Sequence, residues 1–475
     1  MPSLRQLAFL LLAASCSLAQ DSVWATKKSG WQLLSADQRP QVENFAEHLK
    51  AYLDVARSSY TSTKEIVKQA KAAGFTEFTA PSQVKPGARL YTVAHDRAVL
   101  LIVVGNESML SGSRVVGTHH DSPAIDLKAR PVISRYGYAL LKTIEYGGIK
   151  KYQWANLPLA ILGRVDTEDG RTVDVNIGLK PGDPVFVIPD NAPHSDAPLR
   201  TRTYTQVFSG EELNPVFASA PGANDDAAAE ALRLVTSTYN MKEEDFVSAE
   251  LKLVPITRPA DVGIDHALVG AYGQDDRLSS FCAARAVLDL KDTPRYTAIA
   301  YLSNYEENGS GNNSGAASEL LDTTYARLLG AQLGAKYNDL DLRTSLRNAI
   351  VISADTNDGM NPIFGEMTSE SSNAARLGFG PAIKVYGGSF NANSETTARI
   401  RAILDRAQIP WQTQTPRVEV GGGGTIGYFM SREGMEVVDM GVPLLSMHST
   451  YEMSSKVDDW NFYRFMSAFY QWDGK

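Results

Sequence analysis

Apolar positions are spaced differently in successive stretches of the chain, and each spacing predicts an element. Residues 40–73 carry Phe45, Leu49, Leu53 and Val55 at near-helical intervals, which predicts a helix. Two β-rich runs follow, Arg89–Val93 and Ala98–Val104, and Asp96-Arg97 between them predicts a hairpin. Ser113–Thr118 reads as a further strand that runs directly into His119-His120-Asp121. From about 126 to 257 the texture changes. Pro, Gly and Tyr become frequent, and Leu159–Val165, Thr172–Ile177 and Pro184–Ile188 are short β-like runs, with one helical stretch at Asp225–Thr238. Beyond about 260, helical and strand-like segments alternate: Ser279–Leu290, Thr297–Leu302, Ser314–Leu333, Ala349–Ala354, Ala382–Val385, Ser394–Ala407, Glu436–Met440 and Asp458–Gln471.

Such alternation predicts an α/β fold, a sheet covered by helices. Segments 20–125 and 258–475 are therefore expected to form one domain, interrupted by an inserted, mainly β domain over 126–257. A chain of 475 residues is also too long for one ordinary core.

Composition narrows the class. Hydrophobic residues make up 43% and charged residues 21%, the profile of a folded soluble protein. The net charge is −8 and no basic stripe with interleaved aromatics occurs, so no nucleic-acid partner is expected. Residues 1–19 read as a secretory signal peptide: Arg5, an apolar run from Leu7 to Ala14, then Ser17-Leu18-Ala19 before the cut. A secreted, periplasmic or vacuolar/lumenal destination is the expectation. Lipid attachment at Cys16 fits less well, because Ala13-Ala14-Ser15 match such a site poorly. No other segment is apolar enough to span a membrane. After cleavage only Cys282 remains, so no internal disulfide is expected.

The candidate chemistry lies at the ends of predicted elements. His119-x-Asp121 closes the strand Ser113–Thr118; one imidazole can bind zinc while a short carboxylate nearby orients the ring. By itself such a pair is more often a loop or a satisfied core pair. Asp275-Asp276 precedes the helix opening at Ser279, where a carboxylate could bridge two cations or simply cap the helix. Glu306-Glu307 leaves the strand Thr297–Leu302, suggesting that one binds metal and the other takes a proton from water. Asp355 ends the strand Ala349–Ala354, and His448 follows the apolar run Val442–Leu445. The order His, Asp, Glu-Glu, Asp, His suits two zinc ions sharing a carboxylate, held by His119, Asp275, Glu307, Asp355 and His448, with Glu306 left as base. Manganese or cobalt would fit the same nitrogen and oxygen donors.

These segments also resemble a known family. Gly117-Thr118-His119-His120-Asp121-Ser122-Pro123, Gly273-Gln274-Asp275-Asp276-Arg277-Leu278, Glu306-Glu307 with Gly309-Ser310, Ser353-Ala354-Asp355, and Met447-His448-Ser449 with Glu452 are similar, in this order, to the metallopeptidase family of aspartyl aminopeptidase and vacuolar aminopeptidase I. Leu157-Pro158-Leu159-Ala160, Gly163-Arg164-Val165 and Gly424-Thr425-Ile426-Gly427 support the resemblance, which runs from about residue 40 to 470. It implies a zinc-exopeptidase-like catalytic domain, a mixed sheet flanked by helices, with the insertion serving in dimerisation or as a lid. It implies that Asp275, not Asp276, is the bridge, that Asp121 orients His119, and that Glu306 is the general base in release of an N-terminal residue from peptides. Ile188-Pro189-Asp190-Asn191-Ala192-Pro193-His194 resembles a family segment whose His enters a neighbouring subunit's site, so His194 would act only in an oligomer; relatives form dimers that assemble into tetrahedral dodecamers.

The chain departs from the family at Tyr305 and Asn308, which flank the glutamate pair, and in its signal peptide. Its Gly-Gln-Asp-Asp-Arg form is closer to the bacterial and vacuolar branch, which implies a neutral or broad preference for the first residue. A related di-zinc deacylase or dipeptidase, and an idle binding protein of the same fold, are the alternatives. His120 receives no role from sequence.

Overall fold

The structure is a computed structural model that describes residues 28–222, 225–385, 390–418, 420 and 425–474. The expected signal peptide at 1–19, Cys16 and Gly424 lie outside the described residues. The helix expected over 40–73 is two helices, α1 (Gln38–Val55) and α2 (Ser59–Ala72). Ser58 breaks them: its backbone is extended and its hydroxyl caps Thr61 N. Beside it, the buried Arg57 guanidinium donates to the Pro255 and Thr257 carbonyls at 2.6 and 3.1 Å.

The strands β1 (Thr76–Glu77), β2 (Arg89–Ala94), β3 (Ala98–Val103) and β4 (Ser113–His119) follow. Next come β5 (Ala124–Arg135), β6 (Tyr138–Tyr146), β7 (Leu159–Asp166), β8 (Thr172–Ile177), β9 (Val216–Ala218), α3 (Ala227–Tyr239) and β10 (Ala249–Pro255). The remaining chain forms β11 (Ala260–Val262), β12 (Leu268–Ala271), α4 (Gln274–Leu288), β13 (Thr297–Ser303), α5 (Leu320–Leu333), α6 (Asp339–Arg347), β14 (Ile350–Ala354), β15 (Asn357–Asp358) and β16 (Ala382–Lys384). It ends in α7 (Ser394–Arg406), β17 (Gln412–Gln414), α8 (Gly427–Arg432), β18 (Glu436–Gly441), β19 (Pro443–Leu444), β20 (Glu452–Ser455) and α9 (Lys456–Gln471).

Two sheets carry the architecture. A nine-stranded mixed sheet runs β1-β2-β3-β13-β4-β14-β18-β16-β17, parallel through its centre from β13 to β18. Helices cover both faces, because its central strands are apolar on both sides. In β3, Val99, Leu101 and Val103 join the core packed by α1, α4 and α9, while Leu100 and Ile102 join the core packed by α5 and α6. A six-stranded antiparallel sheet, β8-β7-β10-β5-β6-β9, is built from strands contiguous in sequence and has its own core around Trp154, Leu162 and Leu253. No helix among the described residues is long and apolar enough to cross a membrane.

Two local expectations need correction. Pro184–Ile188 makes only isolated bridges, at Phe186, Val187 and Ile188; Pro184 and Pro189 bracket it and offer no N–H to a ladder. The helix expected from Ser314 begins at Leu320, because Ser314 is spent on Asn304, accepting its backbone N–H at 3.1 Å and its side-chain amide at 3.2 Å.

Candidate metal centre

In the parallel centre of the large sheet, β13, β4 and β14 are neighbours, with Ser303 paired to His119 and Ser353 to Gly117. Their carboxyl ends therefore open side by side, the position where α/β sheets collect ligands. His119 ends β4, Glu306-Glu307 follow β13 in a tight turn, and Asp355 follows β14. Asp275 enters from the first turn of α4, where its backbone is not helical (φ −79°, ψ 108°). His448 enters from the irregular loop between β19 and β20, at φ 62°.

Asp275 divides its carboxylate between the two imidazoles. Oδ1 lies 3.4 Å from His119 Nε2 and Oδ2 lies 3.2 Å from His448 Nε2. His119 Nε2 is also 3.7 Å from Asp355 Oδ1, and His448 Nε2 is 3.5 Å from Glu307 Oε1. Two groups result, His119–Asp275–Asp355 and Asp275–Glu307–His448, each with its donor atoms within 4.8 Å of one another. A third, His119–Glu306–Glu307, overlaps both.

These donors fit zinc. Atoms bound at 2.0–2.2 Å to a tetrahedral ion lie roughly 3.4 Å apart, close to the observed separations and wider than hydrogen bonds. Asp275 Oδ1 and Glu307 Oε1 are buried and accept no hydrogen bond. A buried carboxylate with no positive partner costs several kcal/mol, so these oxygens need cations beside them, protonated imidazoles in the empty site or metal ions in the filled one. The second nitrogens are held as metal-binding imidazoles require: His119 Nδ1 faces the Asp121 carbonyl at 3.1 Å, and His448 Nδ1 donates to the Gly148 carbonyl at 3.0 Å.

Electrostatics follow from the crowding of carboxylates. Burial opposes charge on His448, but Asp275, Glu307 and Glu452 outweigh it and hold the metal-free imidazole up at about 10. The same balance, through Asp121, Asp275 and Asp355, holds His119 well above its ordinary value. Burial raises the Glu306 carboxyl to about 7; His119 opposes and Asp355 adds to it. Burial alone would raise Asp121, yet its contact with His119 and the Tyr146 hydroxyl hold it at about 2. Asp121 also accepts the backbone N–H groups of Glu306 and Glu307 at 3.2 and 3.1 Å, so it sets the glutamate turn as well as the ring.

Asp276 joins none of the ligand groups; it is fully buried and accepts His119 N at 3.3 Å. His194 is likewise absent from them and sits exposed on the turn after Pro193. His120, the residue after β4, is a buried strut: Nε2 donates to the Arg97 carbonyl at 2.5 Å, and Nδ1 accepts from Ser62 Oγ at 2.9 Å. Sequence reasoning missed Lys384, whose Nζ lies 3.8 Å from Asp355 Oδ2 and 3.6 Å from Asp439 Oδ1. The signal was present, since Lys384 follows Ala382-Ile383 and Asp439 lies between Val437-Val438 and Met440, and charges within such apolar runs are costly unless paired. It also missed Tyr146 and Gly148, which arrive from the far end of β6 with no local pattern to mark them.

Comparisons with known proteins identify the family and the fold. The family model described as aminopeptidase I zinc metalloprotease (M18) matches residues 52–470. A probable M18 family aminopeptidase 1 of Borrelia garinii subsp. bavariensis is 36% identical over 456 residues, covering 94% of this chain and 99% of the relative. The crystal structure of an M18 family aminopeptidase from Thermotoga maritima superposes with a TM-score of 0.88 at 34% identity, over 94% of this chain and 99% of that one. The Saccharomyces cerevisiae mApe1 dodecamer shares the fold at 21% identity and a TM-score of 0.74, over 90% and 97% of the chains. The chain belongs to the M18 family of aminopeptidase I zinc metalloproteases.

Proposed function

We propose that this zinc metallo-aminopeptidase removes the N-terminal residue of peptides with water activated between two zinc ions, Glu306 acting as general base. The observation that carries the reading is the division of Asp275 between His119 and His448, each imidazole having a further carboxylate beside it. His119, Asp275 and Asp355 would hold one ion and Asp275, Glu307 and His448 the other, with manganese or cobalt acceptable in the same donors. Bound zinc supplies Lewis acidity, lowering the pKa of water toward neutrality and polarising the scissile carbonyl.

Glu306 takes the proton from the attacking water and returns it to the leaving amine. Its position supports this: Oε2 lies 3.9 Å from His119 Nε2, and the side chain keeps 17% exposure at the mouth of the site. Asp121 orients His119 and fixes the turn that carries Glu306. His448, with its side chain 37% exposed, marks the open side by which a peptide's free amino terminus enters. The neutral or broad preference for the first residue that the Gly273-Gln274-Asp275-Asp276-Arg277 form implies is part of this proposal.

His194 is assigned to a neighbouring subunit's site, where it would steady the oxyanion; its exposure leaves it free to do so. Assembly through dimers to a tetrahedral dodecamer, with the six-stranded sheet as dimerisation or lid element, is proposed with it; the solved S. cerevisiae relative is a dodecamer. Export by residues 1–19 belongs to the same proposal and predicts a mature chain starting at Gln20.

Glu306→Gln tests the base. It is expected to bind zinc as the wild type does while kcat falls about 10²–10⁴-fold. Near-normal turnover with zinc bound would exclude Glu306. Cleavage of aminoacyl-naphthylamides and not of N-acyl amino acids separates this activity from a deacylase.

A further inference from the structure

Glu452 opens β20, and its register partner Ala271 sets it directly beneath the turn that leads into α4. It is 1% exposed, in no ligand group, and no step above uses it. Its two carboxylate oxygens are nonetheless fully committed. Oε2 accepts the backbone N–H of Asp275 at 3.1 Å, and Oε1 accepts that of His448 at 2.8 Å. Asp275 and His448 are the two residues of the open-side pocket that come from irregular backbone, at ψ 108° and φ 62° respectively. Neither N–H has a helix or ladder partner in such a conformation, and a buried N–H left without an acceptor costs about 1–3 kcal/mol.

The loop that carries His448 is closed at its neck by reciprocal backbone bonds between Leu445 and Met453, 2.9 and 3.0 Å. Glu452 stands at that neck and reaches inward to His448. Its own backbone is pinned from the other side, where Gln274 donates its amide to the Glu452 and Val269 carbonyls at 2.8 and 3.0 Å. Residues 274–275 and the His448 loop are thus locked to one another through the Glu452 and Gln274 side chains, although they stand far apart in sequence.

We propose that Glu452 is a positioning residue that holds Asp275 and His448 at metal-binding distance, so that the Asp275–Glu307–His448 pocket is preformed. Both of its contacts are N–H donors, so both of its terminal atoms must be acceptors. A carboxylate satisfies this, whereas an amide of the same shape turns a donor toward one of the two N–H groups. Two of the three ligands of the His448 pocket depend on Glu452, but only Asp275 does in the pocket of His119 and Asp355. Loss of Glu452 therefore weakens the His448 pocket more.

This inference rests on the two-metal reading, and cobalt titration of the metal-depleted protein, followed by Co²⁺ visible absorption, tests the two separately. Wild type is expected to show two binding steps; a single step would overturn the two-metal reading itself. In Glu452→Gln one step should weaken about 10–100-fold and the other by clearly less, with kcat recovering as excess Co²⁺ refills the weakened site. Two steps in wild type that both stay within twofold in Glu452→Gln would overturn the role of Glu452 alone. So would parallel weakening of both steps together with a lowered Tm, the mark of a general structural defect. If Glu452→Gln does not fold, Glu452→Asp keeps the charge and both acceptors on a shorter stem. It should weaken the same step by less, and an unchanged step there contradicts the proposal.

Discussion

Tyr146, the last residue of β6, donates its hydroxyl to Asp121 Oδ2 at 2.7 Å and so ties the six-stranded sheet to the strand end that carries His119. The next two residues make the same crossing. Gly147 N donates to Asn308 Oδ1 at 3.3 Å beside the glutamate pair, and the Gly148 carbonyl receives His448 Nδ1. One short segment of the smaller sheet thus touches both halves of the metal centre. Asn308 supplies one of its three ties.

Tyr146→Phe removes one of these ties while keeping the ring against Tyr305 and Lys252. The fold should persist, because one hydrogen bond to a charged group contributes about 1.5–3 kcal/mol. Zinc affinity should fall by about 10–100-fold through the freed Asp121, as measured against a competing chelator. Unchanged affinity in the variant would show that Tyr146 does not support His119.

His120 predicts an acid limit to stability. Burial holds its folded-state pKa at about 4, against an ordinary 6.5. Above 6.5 the ring is neutral folded or unfolded, and its full contribution is present. As pH falls from 6.5 toward 4, the unfolded chain takes up a proton that the folded chain refuses, so stability declines by at most about 1.4 kcal/mol per pH unit. Denaturant melts across this window should show a shallower slope in His120→Gln than in wild type. Equal slopes would remove His120 from the account.

Metal uptake should expel protons. In the metal-free site the carboxylates keep His119 and His448 protonated at neutral pH, and zinc needs them neutral. Binding is therefore expected to weaken as pH falls and to release on the order of one or more protons at pH 7. Calorimetry in two buffers of different ionisation enthalpy reads the release directly. The same apparent enthalpy in both buffers would contradict it.

Much of the centre was legible because its residues sit where elements end. His119 after an apolar strand, Glu306-Glu307 after another and Asp355 after a third are local patterns, and the parallel sheet sets those strand ends side by side. What sequence could not disclose is contact across the fold. Tyr146 meets Asp121 across 25 positions, Glu452 meets Asp275 across 177, and the Gly148 carbonyl meets His448 across 300. The break between α1 and α2 escaped because the apolar period continues through it, whereas the Ser58 cap and the Arg57 anchor work through hydrogen bonds. His120 went unassigned for the same reason: its partners, Ser62 and the Arg97 carbonyl, lie on α2 and in the β2–β3 turn.

The central claim is that Asp275 belongs to two metal sites at once, and metal content of the purified protein against Asp275→Ala tests it most directly. Elemental analysis of wild type should give about two zinc ions per chain, and the variant, folded by circular dichroism, should retain neither tightly, because each site loses a ligand from its closed set. Two tightly held zinc ions in Asp275→Ala, or a single ion in wild type, would contradict the shared bridge.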